Sequence, residues 1–118
     1  MFWVSNYYLK TDKAAAYQQW LLSPEAIALV ADVERETGMR YVQTYWTVLG
    51  FGEFDCEDWW EISNWAAIDT MRESQAVETL FMRAWELGFA DNSRPSQQRI
   101  LRTTQDIKTY RLPERTEG

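Results

Sequence analysis

"LGFGEFDCEDWWEIS", residues 49–63, sets two adjacent tryptophans among five carboxylates directly after a Gly-Phe-Gly turn. In an extended strand, neighbouring side chains point to opposite faces. A strand over about Cys56 to Ser63 therefore puts Cys56, Asp58, Trp60 and Ile62 on one side. Glu57, Trp59, Glu61 and Ser63 fall on the other. The two tryptophans serve two environments, and the acidic run is not one catalytic box. Cys56, Trp60 and Ile62 are the more apolar set and are expected to meet the helices. Asp55, Glu57 and Asp58 have the residue type of a hard-cation site, but alternation separates them and no EF-hand spacing is present. They are expected to be solvated charges at the loop and strand entry.

Upstream of the glycine turn, Met39 to Leu49 alternates as a second strand. Tyr41, Gln43 and Tyr45 lie on one face, and Val42, Trp46 and Val48 on the other. Gly38 stands where a helix would end in a left-handed residue. Before it, Ser23-Pro24-Glu25 caps and restarts a helix that begins after Thr11 and Asp12, so the first helical region is long and broken near Ser23. Phe2 to Leu9 reads as the first strand. Downstream, Asn64 can cap a second helical region with a break near Asp69. Val77, Leu80, Phe81, Ala84 and Trp85 form its core-facing stripe, and Gly88 ends it. After a polar loop, Ile100 to Leu112 is expected to be the last strand. Residues 113–118 are expected to be a frayed tail on a single domain spanning residues 1–112.

Composition narrows the function. The chain of 118 residues has 46% hydrophobic and 25% charged residues, ordinary for one globular domain. Its net charge of −6, with no Lys/Arg stripe, argues against a nucleic-acid partner. The longest apolar run, Ala26 to Ala31, is far short of the roughly 20 residues of a membrane span. No export signal is visible, and Cys56 is the single cysteine, so a cytoplasmic location is expected. With no histidine at all, haem ligation through imidazole, Ser-His-Asp chemistry and His-based metal sites are excluded. No metal or cofactor is expected. Seven Trp, six Tyr and five Phe are the unusual feature, and such rings favour cores, interfaces and ligand sites.

The element order is β-α-β-β-α-β, an α+β ferredoxin-like pattern of four antiparallel strands with helices on one face. A sheet face left bare with this many aromatics is expected to pair with a second copy, giving a homodimer through sheet faces. In "VLGFGEFDCEDWWEIS" leading into "NWAAIDTM", and in its overall order, the chain resembles the dimeric α/β-barrel superfamily, which includes antibiotic-biosynthesis-monooxygenase-like domains, polyketide cyclases and muconolactone-type isomerases. The resemblance implies a cofactor-independent monooxygenase, cyclase or isomerase acting on an aromatic or polyketide-like molecule. Haem-degrading, chlorite-dismutase-like and mutarotase-like activities need the missing histidine. A dimeric small-metabolite sensor or carrier, and a purely structural protein, are the alternatives.

On the helix-free face, Asn6, Tyr8, Tyr41, Gln43, Tyr45, Trp59 and Glu61 make an expected pocket for a small apolar or aromatic ligand. Within it Glu61, flanked by rings, would be the base, its pKa raised by desolvation. Tyr41 or Tyr45 would donate to an oxygen that gains negative charge. Asn6, Tyr8, Gln43 and Trp59 would bind the substrate. A Glu61–Arg102 ion pair is the competing fate of Glu61.

Overall fold

Trp3 and Trp60 face one another on neighbouring strands and anchor the core. The computed structural model describes residues 1–48 and 50–107. Its elements are β1 (Phe2–Tyr7), α1 (Ala14–Leu21), α2 (Pro24–Thr37), β2 (Arg40–Trp46), β3 (Cys56–Glu61), α3 (Ala66–Glu73), α4 (Gln75–Leu87) and β4 (Gln97–Leu101). The strands form one antiparallel sheet in the order β2-β3-β1-β4, an α+β arrangement consistent with a ferredoxin-like fold.

Each expected helical region is two helices. The first breaks where the sequence indicates: Ser23 Oγ accepts from Ala26 N at 3.2 Å, Pro24 opens α2, and Gly38 closes it at φ 75°. The second breaks at Ser74, not near Asp69. There Ser74 Oγ accepts from Val77 N, and Glu36 of α2 accepts from the backbone of Gln75 and Ala76. Free donors at the start of α4 are thus met partly from another helix, which a local reading of residues 64–88 does not contain. The cap of α1 also differs: Lys13, rather than Thr11 or Asp12, precedes its first turn.

The helices pack on one sheet face. Val33 of α2, Ala67 of α3 and Val77 and Leu80 of α4 meet Trp3, Trp60, Met39 and Ile62 there. Two residues of the expected α4 stripe stay out of this core: Phe81 is 48% and Trp85 64% exposed. The last strand is shorter and earlier than expected. Only Phe2 to Asn6 of β1 offers it partners, so pairing ends at Leu101 opposite Phe2. Residues 108–112 of the expected strand and the tail 113–118 lie outside the described residues. No helix among the described residues is long and apolar enough to cross a membrane.

Strand β2 does not alternate throughout. Tyr41 pairs with Trp60 and Gln43 with Trp59, so Val42 is an extra residue, a bulge. The bulge puts Tyr41, Thr44 and Trp46 on the helix side and leaves Gln43 and Tyr45 on the open side. Tyr41 is therefore on the face opposite to the one that strict alternation gives it.

Candidate functional site

Asp58 stands in the middle of β3, opposite Ser5 of β1 and Thr44 of β2, on the face covered by helices. Its Oδ1 accepts from Tyr7 Oη at 2.8 Å and from Thr44 Oγ1 at 2.7 Å. A hydroxyl has one hydrogen to give. With those of Tyr7 and Thr44 committed to Asp58, the outer bonds have a fixed sense. Tyr17 of α1 donates to Tyr7 over 2.5 Å, and Tyr41 donates to Thr44. Two arms, Tyr17–Tyr7 and Tyr41–Thr44, thus converge on a single carboxylate oxygen.

The phenols remain donors. Burial, with the charge of Asp58 as a further cause, pushes Tyr7 and Tyr17 well above the usual phenol range. Burial likewise lifts Tyr41 to about 12. Asp58 itself is raised from its ordinary 3.8 to about 6, because burial outweighs the two hydroxyls that favour its charged form. Cys56, behind it on the same face, is pushed up by burial and behaves as a protonated, buried thiol.

The other oxygen, Oδ2, has no hydrogen-bond partner among the described residues, yet it is not sealed from solvent-sized space. Asp58 is half-buried and forms part of the wall of two cavities. The first, about 260 Å³, lies between the sheet and α1, α2 and α4, with Trp20, Ile27, Val30, Tyr41, Trp60 and Leu80 in its wall. The second, about 320 Å³, lies under the other flank of α4 and is lined by Ser5, Trp85, Phe89, Asn92 and Gln98. Tyr17, Asp58, Phe81 and Ala84 border both. Phe81 and Ala84 place the second half of α4 along these cavities, with the Phe81 ring edge-on to Trp3 at 6.3 Å.

The expected pocket lies elsewhere, and its members have different fates. Asn6, Gln43, Tyr45, Trp59 and Glu61 do share the open face. Tyr41 does not, because of the bulge, and it sits in the wall of the first cavity. Glu61 is exposed at the end of β3 in the single chain. Glu57 Oε2 accepts from Asn6 at 2.8 Å and from Arg99 at 3.5 Å, while its Oε1 accepts from Trp59 Nε1 at 2.8 Å. Trp59 lies between Phe2 and Tyr45. Tyr8 is buried under the Arg94 guanidinium, 3.4 Å from its ring centre, and donates to Glu53. Together these side chains pave the face, leaving an open depression bordered by Asn6, Tyr45, Glu57 and Arg99.

Nor are the three acidic residues solvated charges. Asp55 accepts from Leu9 N at 2.8 Å, Glu57 holds the open-face cluster, and Asp58 is the half-buried acceptor of two hydroxyls. The residues missed from sequence are Asp58, Tyr7, Tyr17 and Thr44. One sign was present: alternation put Asp58 with Cys56, Trp60 and Ile62, a carboxylate on the apolar face.

No protein-family model and no curated protein matches the chain. Solved structures do. An uncharacterized NIPSNAP-like domain protein from Burkholderia xenovorans is 15% identical with a TM-score of 0.61, covering 95% of this chain and 90% of that one. A NIPSNAP family protein from Agrobacterium tumefaciens strain C58 is 16% identical with a TM-score of 0.57, over 87% of this chain and 85% of that one. The protein Atu4242 from Agrobacterium tumefaciens is 14% identical with a TM-score of 0.59, over 89% of this chain and 95% of that one. None of the three is described as an antibiotic-biosynthesis monooxygenase. At such identities the likeness is one of fold: this chain shares a ferredoxin-like α+β fold with NIPSNAP-family and NIPSNAP-like proteins.

Proposed function

We propose that the protein binds a small apolar or aromatic molecule between its sheet and helices, against Asp58. One observation carries this reading: a carboxylate with one oxygen saturated by hydroxyls and the other without a partner among the described residues, in the wall of an apolar, aromatic-lined cavity. A few directed polar groups in an apolar cleft are the usual make-up of a small-molecule site. Trp20 and Trp60 line the first cavity, so occupancy should change tryptophan fluorescence. Titration with a panel of aryl ketones, phenols and arylalkylamines should give saturable binding by at least one class. Ala84→Phe, which fills space common to both cavities, should abolish that binding while the melting transition stays cooperative. Binding that persists in Ala84→Phe would place the ligand elsewhere.

A second reading, an enzyme, is favoured by the raised pKa of Asp58. Isomerisation, cyclisation and cofactor-free oxygenation of an aromatic ketone or phenol can each begin with removal of a proton, which would pass from substrate to Oδ2. A carboxylate with a pKa near 6 is largely ionised at neutral pH and a stronger base than an ordinary aspartate. Asp58, not Glu61, then takes the part of the base, and turnover that survives Asp58→Asn would remove it. We also propose that two copies pair through their open sheet faces, where Tyr45 is 47% exposed. The buried free thiol of Cys56 suits the reducing, cytoplasmic setting expected for the chain.

A further inference from the structure

Resting on the reading of these cavities as a binding site, the geometry points to a cationic ligand: an amine with an apolar or aromatic body, its ammonium group on Asp58 Oδ2. Three features of the cavity walls support this class over others.

First, among the described residues neither wall contains Lys or Arg, while Asp58 and Glu34 supply carboxylates. Arg83 is near but held outside by Glu25, at 2.7 Å, and by Glu86. Among the described residues, a carboxylate, sulfate or phosphate on a ligand in the first cavity would meet no counter-charge and two like charges. Anionic substrates, phosphate-bearing cofactors among them, are therefore disfavoured.

Second, the unpartnered acceptor is charged and belongs to a half-buried residue of the cavity wall. Oδ1 has its two donors, but Oδ2 has none among the described residues. Both hydroxyl arms end on Oδ1, so an incoming donor has a single place to bind. An ammonium supplies both the hydrogen and the charge that this oxygen lacks. A neutral alcohol supplies only the hydrogen.

Third, the same wall is rich in rings. Tyr17, Trp20, Tyr41, Trp60 and Phe81 surround the first cavity, and a cation within about 6 Å of such rings is attracted to them.

The titratable groups that face Asp58 are Tyr7 on β1, Tyr17 on α1, Tyr41 on β2, Cys56 on β3 and, across the cavity, Glu34 on α2. α4 presents Phe81 and Ala84, and β4 presents Gln98. The phenols and the thiol are pushed up by burial and stay protonated below pH 8. Between pH 5 and 8 the preference for a cation accordingly follows Asp58.

The test is a binding series of matched size: 2-phenylethylamine, 2-phenylethanol and phenylacetate, titrated at pH 8 and pH 5 by fluorescence and calorimetry. At pH 8 the amine should bind at least tenfold more tightly than the alcohol, and phenylacetate should not bind measurably. The amine preference should shrink at pH 5, vanish in Asp58→Asn and survive in Glu34→Gln. Binding of the amine at pH 6 should also release protons, seen as a dependence of the heat on the buffer, which needs no variant to fold. If alcohol and amine bind alike, or the preference survives in Asp58→Asn, or phenylacetate binds best, the cation inference fails while the cavity reading stands. If none of the three binds at either pH and the wider panel is also silent, both fail.

Discussion

Asp58 is costly to the fold in its charged form, and that cost can be measured. The folded protein holds the Asp58 proton between pH 3.8 and about 6, where the unfolded chain has already released it. Stability from this group is therefore fully present below pH 3.8, falls as pH rises through about 6, and is flat above it. The shift corresponds to about 3 kcal/mol at most. Asn has the shape of the protonated acid and keeps an oxygen for Tyr7 and Thr44. Asp58→Asn should then be more stable than the wild type at pH 8, by up to about 3 kcal/mol in urea unfolding, with the difference gone near pH 4. A destabilised Asp58→Asn at pH 8 would mean that the charged form is compensated by something the hydroxyl arms do not supply.

Strand β2 shows how one extra residue sets the chemistry of a wall. Because Val42 bulges, Tyr41 reaches Thr44 and the Asp58 cluster, instead of the open face. Deleting Val42 leaves Tyr41, Thr44 and Trp46 on the helix side by ordinary alternation. That deletion should fold and change stability by about 1 kcal/mol, the typical effect of a single change. Deleting Tyr45 instead turns Trp46 away from Tyr17, its ring neighbour at 5.9 Å, and should cost more. Thermal melts of the two deletions settle the order. Equal losses would show that the bend of the bulge, not the facing of side chains, is what the fold needs.

The whole molecule divides its aromatic residues between two faces. Trp60 is 4% exposed and belongs to the core, while Trp59 sits on the open face between Phe2 and Tyr45. That face is paved by its own side chains, and a second copy laid against it would cover Tyr45. Light scattering should give the mass of two chains. Tyr45→Glu, which brings an unpaired charge into such a contact, should give one chain while leaving ligand binding between sheet and helices intact. A wild-type protein of single-chain mass would end the proposal of sheet-to-sheet pairing.

Short-range chemistry alone was enough for much of the architecture. Ser23-Pro24 and Gly38 mark the bounds of α2 because caps and left-handed residues are local requirements. The two facings of Trp59 and Trp60 follow from the period of a strand, and the absence of histidine removes whole classes of chemistry. Other features depended on parts of the chain remote in sequence. The bulge at Val42 exists only as a register between β2 and β3, and the start of α4 takes Glu36 from α2. Asp58 looks like one more surface carboxylate until Tyr7, Thr44 and α1 close around it. Burial and partnership are properties of the packed chain. They add Asp58, on the covered face of the sheet, and the two cavities beside it to what the sequence had offered on the open face.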